Sequence, residues 1–282
     1  MIMSPLWSRG FCTEISQEAG DVGTAVALGH RQGCLTGDVM GIDVGVSGFR
    51  IVVFDTSSGE LIGPLHRHRH GRSTGPAEVL GAVREAIKGL QWNGPIGLGF
   101  PGVVEMNRPI TAPNLGQDWI GVDVAQHLGA HHGGRFAMLN DADAVALAEA
   151  THGVGHGGAA CVLTLTIGTG LGTTVHRDGR LVPNLEHGRL PHPTRGGHLE
   201  EHLSGRARTQ ENLSLEAWAE RFQEGLSFLE QRIQPDRIIL YGGLMEHWDE
   251  IRPLLSTRAE LFPATLRETA GPLGAAMATQ DL

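Results

Sequence analysis

The segment Leu139-Asn140-Asp141-Ala142-Asp143-Ala144-Val145-Ala146-Leu147-Ala148-Glu149-Ala150 sets a short apolar run against an alanine-rich one, with a carboxylate at the seam. Phe136 to Leu139, after the Gly133-Gly134 turn, reads as a buried strand, and the run beyond Asp143 has strong helix propensity. Asp141 therefore falls at a helix N-terminus. Taken alone, Asn140 or Asp141 can be a plain cap worth about 1 kcal/mol. A chemical role for Asp141 needs support from the rest of the chain.

At 282 residues, with 40% hydrophobic, the chain can bury one large core or two lobes of ordinary size. Its 41 glycines suit an α/β protein with many tight strand-to-helix turns, and no Gly-X-Y period suggests a fibre. The net charge of -9 argues against a general nucleic-acid binder, although it leaves room for a local basic groove. Cys12, Cys34 and Cys161 make no CxxC pair and no disulfide framework, so a cytoplasmic protein is expected. No apolar run approaches the roughly 20 residues of a membrane span, and no signal-peptide pattern opens the chain.

Residues 1 to about 39 show no sustained period and read as a disordered, dispensable extension, with the folded protein beginning at Met40. Gly41 to Arg50 and the apolar run Ile51 to Phe54 form an expected β-hairpin. Its tip can offer backbone N–H groups and the Ser47 hydroxyl to phosphate oxygens, while Asp43 can hold a hydrated Mg²⁺. Leu65 to His70 continues the sheet with His66, His68 and His70 on one face. Metal or polyanion binding is open to these three, and a solvated edge strand is the favoured reading.

Pro76 to Leu90 is an amphipathic helix, and Ile96 to Phe100 the next strand. The loop-rich segment from Pro101 to Trp119 sets Asn114 beside an aromatic, as a sugar site would, although Asn114 can equally stabilise an Asx-turn. A helix is expected near Val122 to Leu128. From Cys161 to Thr174 a strand turns through Gly168-Thr169-Gly170-Leu171-Gly172 into a second strand, so bare amides can cradle a phosphate; a tight hairpin is the alternative. Cys161 itself reads as core.

In the Gly/Pro-punctuated stretch from 181 to 206, Glu186 and Glu200 are good acceptors for sugar hydroxyls, or else solvated charge. Ser214 to Ile233 is a long helix with a stripe of Leu215, Trp218, Phe222, Leu226 and Leu229. Arg237 to Tyr241 is a strand ending in Gly242-Gly243, with a helix near His247 to Leu255 after it. A final strand is expected near Thr265 to Glu268, before a helix over Ala270 to Thr279.

Asp43-Val44-Gly45-x-Ser47-Gly48, Phe100-Pro101-Gly102-Val103-Val104, Asn114-x-x-x-Asp118-Trp119, Leu139-Asn140-Asp141, Gly168-Thr169-Gly170-Leu171-Gly172 and Gly242-Gly243 together resemble the ordered motifs of the ROK sugar kinases. The fit from residue 40 onward is closest to their polyphosphate glucokinase branch. Leu181-Val182-Pro183-Asn184 and the segment Leu213 to Ala219 are similar to that branch in particular.

The resemblance implies an α/β, actin/hexokinase-like (ribonuclease H-like) fold of two lobes, residues 40–134 and 135–282, with the last helix packing back on the first lobe and the active site in the cleft. It implies phosphoryl transfer from inorganic polyphosphate, ATP or both to the 6-hydroxyl of glucose or a related hexose, with Asp141 as general base. Asn114, Asn140, Asp141, Glu186 and Glu200 would hold the sugar. Asp43, Gly45, Ser47, Gly48, Gly168, Thr169, Gly170, Gly172, Gly242 and Gly243 would meet the donor phosphates, with Mg²⁺ on Asp43 through water. Arg50 and Arg189 are candidates to grip a polyphosphate chain. A cytoplasmic homodimer is implied, with neither nucleic acid nor membrane as partner.

Val46 replaces the family's second glycine in the donor loop, and Arg189 replaces a sugar-contacting His. The family's zinc-binding cysteines are absent around Gly196-Gly197-His198-Leu199-Glu200, so no structural zinc is expected, with His192 and His198 the remaining candidates. A kinase for mannose or an N-acyl hexosamine, or a weakened sugar-binding protein, is the alternative function. A sugar-responsive repressor would need a helix-turn-helix that the first 39 residues do not pattern.

Overall fold

The computed structural model describes residues 37–70, 75–129 and 135–280, and the expectation for residues 1–36 lies outside them. Its first sheet opens with the antiparallel pair β1 (Asp38–Gly45) and β2 (Gly48–Asp55), edged by the short β3 (Glu60–Leu61) and β4 (His66–Arg69). After α1 (Pro76–Gly89), β5 (Ile96–Phe100) pairs parallel with β1. Asp38 and Val39 belong to β1 and Val39 is buried, so the folded chain begins ahead of Met40.

The loop beyond β5 carries a small hairpin missed in the sequence, β6 (Val104–Glu105) with β7 (Arg108–Pro109), and then α2 (Val124–Leu128), capped by Asp123. β8 (Phe136–Asn140) pairs parallel with β5 and runs without a break into α3 (Asp141–Thr151). β8 is the edge strand of the first sheet, so the expected division at 134/135 falls just ahead of a strand of that sheet.

The second sheet repeats the plan. β9 (Cys161–Ile167), β10 (Leu171–Arg177) and β11 (Arg180–Val182) are antiparallel. Past α4 (Leu199–Leu203), α5 (Gly205–Gln210) and α6 (Leu215–Ile233), β12 (Arg237–Tyr241) joins β9 in parallel. α7 (Trp248–Ile251) leads to β13 (Glu260–Pro263), parallel to β12, and α8 (Ala270–Met277) closes the chain. Both sheets thus have the same order: an antiparallel meander, then two parallel strands added on the other side.

Two sequence expectations need correction here. The last strand is Glu260–Pro263, not Thr265–Glu268. Leu261 and Phe262 find their register beside β12, whereas the chain at 265–266 is held by the fully buried Glu149, whose carboxylate accepts from Thr265 Oγ1 at 3.2 Å and Leu266 N at 2.7 Å. Leu215 is half-buried, and the stripe of α6 is completed by Ala219, Gly225 and Ile233.

The first sheet is covered on both faces. Met40, Ile42 and Val44 pack with α1, while Val39, Val52 and Phe54 pack with α3 and α8. α8 lies against bare backbone: Gly41 and Gly97 are register partners, and a Cβ on them would stand 1.9 Å from Pro272 O and 1.7 Å from Ala275 O. On its other side Gly274 meets α3, where a Cβ would reach Ala144 O at 1.7 Å. These glycines let one helix wedge between the sheet and α3, and so fix where the β8–α3 junction points.

Candidate active site

The C-terminal ends of β5, β8 and β12 and the tips of the two hairpins face a cavity of about 690 Å³. It is lined by Asp43, Gly45, Ser47, Asn114, Asn140, Asp141, Gly168, Thr169, Gly170, Gly172, Glu186, Glu200, Gly242 and Gly243, residues the sequence singled out from six separate segments. Gly48 is the exception. It lies off the cavity wall, and a Cβ there would sit 2.0 Å from His68 O, so this glycine serves the close approach of β4 to β2. Gly242 has φ of +133°, and a Cβ on it would fall 2.1 Å from Ile167 O, which requires glycine where the two turns meet.

The junction resolves the capping question. Asn140 is the cap: its Oδ1 accepts from Ala142 N at 2.9 Å and Asp143 N at 3.1 Å, and its Nδ2 donates to Gly102 O at 3.1 Å. One amide hydrogen of Asn140 is left for a ligand. Asp141 is not needed to cap, and among the described residues its carboxylate accepts only the adjoining Ala142 N–H, at 2.8 Å. Burial, then the charge of Asp43, with smaller contributions from Asp143 and Glu186, pushes the Asp141 carboxyl up to about 7, against the pull of the Ala142 N–H. Asp143, 1% exposed, is pushed up to about 6 by burial.

Asp43 is paired with Arg50, its register partner on β2, whose other amino group donates to Glu268 O at 3.1 Å. Burial opposes the Arg50 charge, and Asp43 with Tyr241 outweighs it and raises the pKa. Glu186 is paired with Arg189 at 3.2 Å and is raised by burial, which Arg189 opposes and Glu200 reinforces. The two arginines expected to grip phosphate are thus tied to carboxylates. Arg206, which the sequence reading missed, is exposed on the cavity wall beside the glycine turn, with its N–H on Gly168 O at 3.2 Å and no ion pair among the described residues. It follows Ser204-Gly205 at the first turn of a helix, a signal that could have found it.

Asn114 lines the cavity with its amide unpartnered among the described residues, so it forms no Asx-turn. Trp119 is fully buried against Phe100, with ring centroids 5.1 Å apart, and is core rather than a sugar wall; Pro101, Pro113 and Leu185 supply apolar lining instead. His68 stacks on Phe49 at the sheet edge, and His70 contacts Gly45 O at 3.2 Å. His192 spends its Nδ1 lone pair on Thr194 N and Arg195 N, which leaves the proton on Nε2, and His198 is paired with Glu201. Among the described residues no group of three or more His, Cys, Asp and Glu side chains is placed to hold a metal ion.

The model of the ROK family matches residues 39–200. The chain belongs to the ROK family. Among ROK relatives, the polyphosphate glucokinase of Mycobacterium tuberculosis (strain ATCC 25618 / H37Rv) is 37% identical over 240 residues, covering 85% of this chain and 90% of that protein. The inorganic polyphosphate/ATP-glucomannokinase of Arthrobacter sp. strain KM superposes with a TM-score of 0.80 at 33% identity, covering 87% of this chain and 99% of that one. A ROK glucokinase from Streptomyces griseus, solved with glucose and AMPPNP, shares the fold with a TM-score of 0.70 at 22% identity, covering 86% and 100%. The actin/hexokinase-like fold expected of this ROK chain is the one it has. No helix among the described residues is long and apolar enough to cross a membrane.

Proposed function

We propose that this chain transfers a phosphoryl group from inorganic polyphosphate, with ATP as a second donor, to the 6-hydroxyl of glucose. The observation that carries this reading is Asp141. It is freed from capping by Asn140, its pKa is raised toward neutrality by burial among carboxylates, and it shares one cavity with an unobstructed glycine turn. A group with that pKa can take a hydroxyl proton near pH 7 and stay within reach of the alcohol. The names of the tuberculosis and Arthrobacter relatives support polyphosphate as donor and a hexose as acceptor.

In this reading Asn114, Glu186, Glu200 and the spare Asn140 hydrogen hold the sugar hydroxyls and turn the 6-hydroxyl toward Asp141. The amides from Gly168 to Gly172 and at Gly242-Gly243 receive phosphate oxygens, with Ser47 at the facing tip. Asp43 spends one oxygen on Arg50, which leaves the other for a metal-bound water, and the donor set is all oxygen, as Mg²⁺ prefers. Mg²⁺ bound with the phosphates would supply neutralisation of the charge that spreads over the transferring group. Water is excluded when the lobes close over both substrates.

One coupled assay tests the reading, with glucose, Mg²⁺ and either polyphosphate or ATP. Glucose 6-phosphate is expected with polyphosphate, at a rate that falls with added salt because Arg206 meets the donor through screened charge. Turnover with ATP and none with polyphosphate of any length would reject the donor, and no turnover with either would reject the kinase.

A further inference from the structure

Asn184 has φ of +58°, a left-handed conformation that asparagine tolerates better than most side chains. Its backbone N–H donates to Asp143 Oδ2 at 2.8 Å, and the other oxygen of Asp143 accepts from Thr174 Oγ1, also at 2.8 Å. Its side-chain amide reaches the hairpin of the first lobe, where Oδ1 accepts from Val104 N at 3.2 Å and Nδ2 donates to Val104 O at 3.0 Å. One amide thereby satisfies both backbone groups of one residue, as a neighbouring strand would.

None of Asn184, Asp143 and Val104 lines the cavity, yet they flank the residues that do. Glu186 lies two residues beyond Asn184, and Pro101, Gly102 and Asn114 lie on either side of the β6–β7 hairpin. Thr173 braces Glu186 from the remaining side, donating to Leu185 O at 2.5 Å and accepting from His187 N at 3.0 Å.

We propose that Asn184 is a positioning residue, a clasp that joins the segment carrying Glu186 to the hairpin beside Asn114 and so holds the two walls of the sugar pocket at a fixed separation. The inference rests on reading that end of the cavity as the hexose site. Without the clasp, the Glu186 segment would have to be ordered by the sugar itself, and that cost falls on hexose affinity. The glycine turn at the donor end is held by other bonds, so donor binding is left alone.

Asn184→Gly is the discriminating variant, because glycine keeps the positive φ and the N–H on Asp143 and removes only the amide. Asn184→Asp keeps an acceptor for Val104 N and loses the donor to Val104 O. Glucose titrated calorimetrically is expected to bind about tenfold more weakly to Asn184→Gly, and at least as weakly to Asn184→Asp, whose carboxylate sets an acceptor against Val104 O. KM for polyphosphate should stay within about twofold. Unchanged glucose affinity in Asn184→Gly, or an equal loss for both substrates, overturns the clasp. A wild-type protein that binds no hexose overturns the proposed function and this inference with it; failure of the clasp alone is told apart, since the wild type and the variant then bind glucose equally well.

Discussion

Asp141→Asn is expected to lose about 10²-fold or more in kcat, with KM for glucose changed less than about threefold. Asparagine keeps the size and one acceptor of the carboxylate but cannot take the hydroxyl proton. The fold should not suffer, because the helix is capped by Asn140 and not by Asp141. The sign of the pKa shift sharpens this. Asp141 has its folded pKa raised from 3.8 to about 7, so the stability it contributes is full below pH 4 and is lost as pH rises through about 7. At pH 8 the ionised carboxylate is a burden beside Asp43, and the Asn variant is relieved of it. Melting curves at pH 5 and pH 8 should therefore show Asp141→Asn at least as stable as the wild type at pH 8, with a smaller drop between the two. Normal turnover, or a stability loss at pH 8, would return Asp141 to a structural role.

Gly97→Ala is the second large effect, and it falls on the fold. The added methyl would stand 1.7 Å from Ala275 O and 2.8 Å from Ala276 N, both backbone atoms of α8 that cannot swing aside. Relief requires the helix to lift from the sheet, and overpacking of this kind costs about 3 kcal/mol or more. For a chain of this size the melting temperature should fall by about 6–12 °C. Gly81→Ala is the control, since glycine there faces open space in α1 and alanine favours helix. Equal melting temperatures for the wild type and Gly97→Ala would mean that α8 does not rest on Gly41 and Gly97 as described.

The elements with strong local signals were legible before the structure. β8 and α3 could be read because an apolar run meets an alanine run, and the glycine turns because they interrupt strands of β-branched residues. The residues misread are those whose role is set by something distant in sequence. Gly48 belongs to a motif at the hairpin tip, but the constraint on it comes from the backbone of His68. Trp119 sits beside polar loop residues and yet turns inward onto Phe100.

Asp143 carries no role in the sequence motifs, yet it is buried and its carboxylate accepts from Asn184 N and Thr174 Oγ1. A carboxylate two residues into an otherwise alanine-filled helix face was the available hint, and periodicity cannot say which partner it meets. The strand at Glu260–Pro263 was displaced in the reading because Glu149, far back in α3, anchors the chain just beyond it.

Whether Asp141 acts as the base at a pKa set by its burial is tested by the pH dependence of kcat/KM for glucose from pH 5 to 9, with polyphosphate held well below its KM so that the unloaded enzyme is read out. The rate should climb with pH through a midpoint near 7, the value to which burial and Asp43 push this carboxyl, and the climb should be missing from the residual activity of Asp141→Asn. A flat profile down to pH 5, or the same climb in the variant, would contradict it.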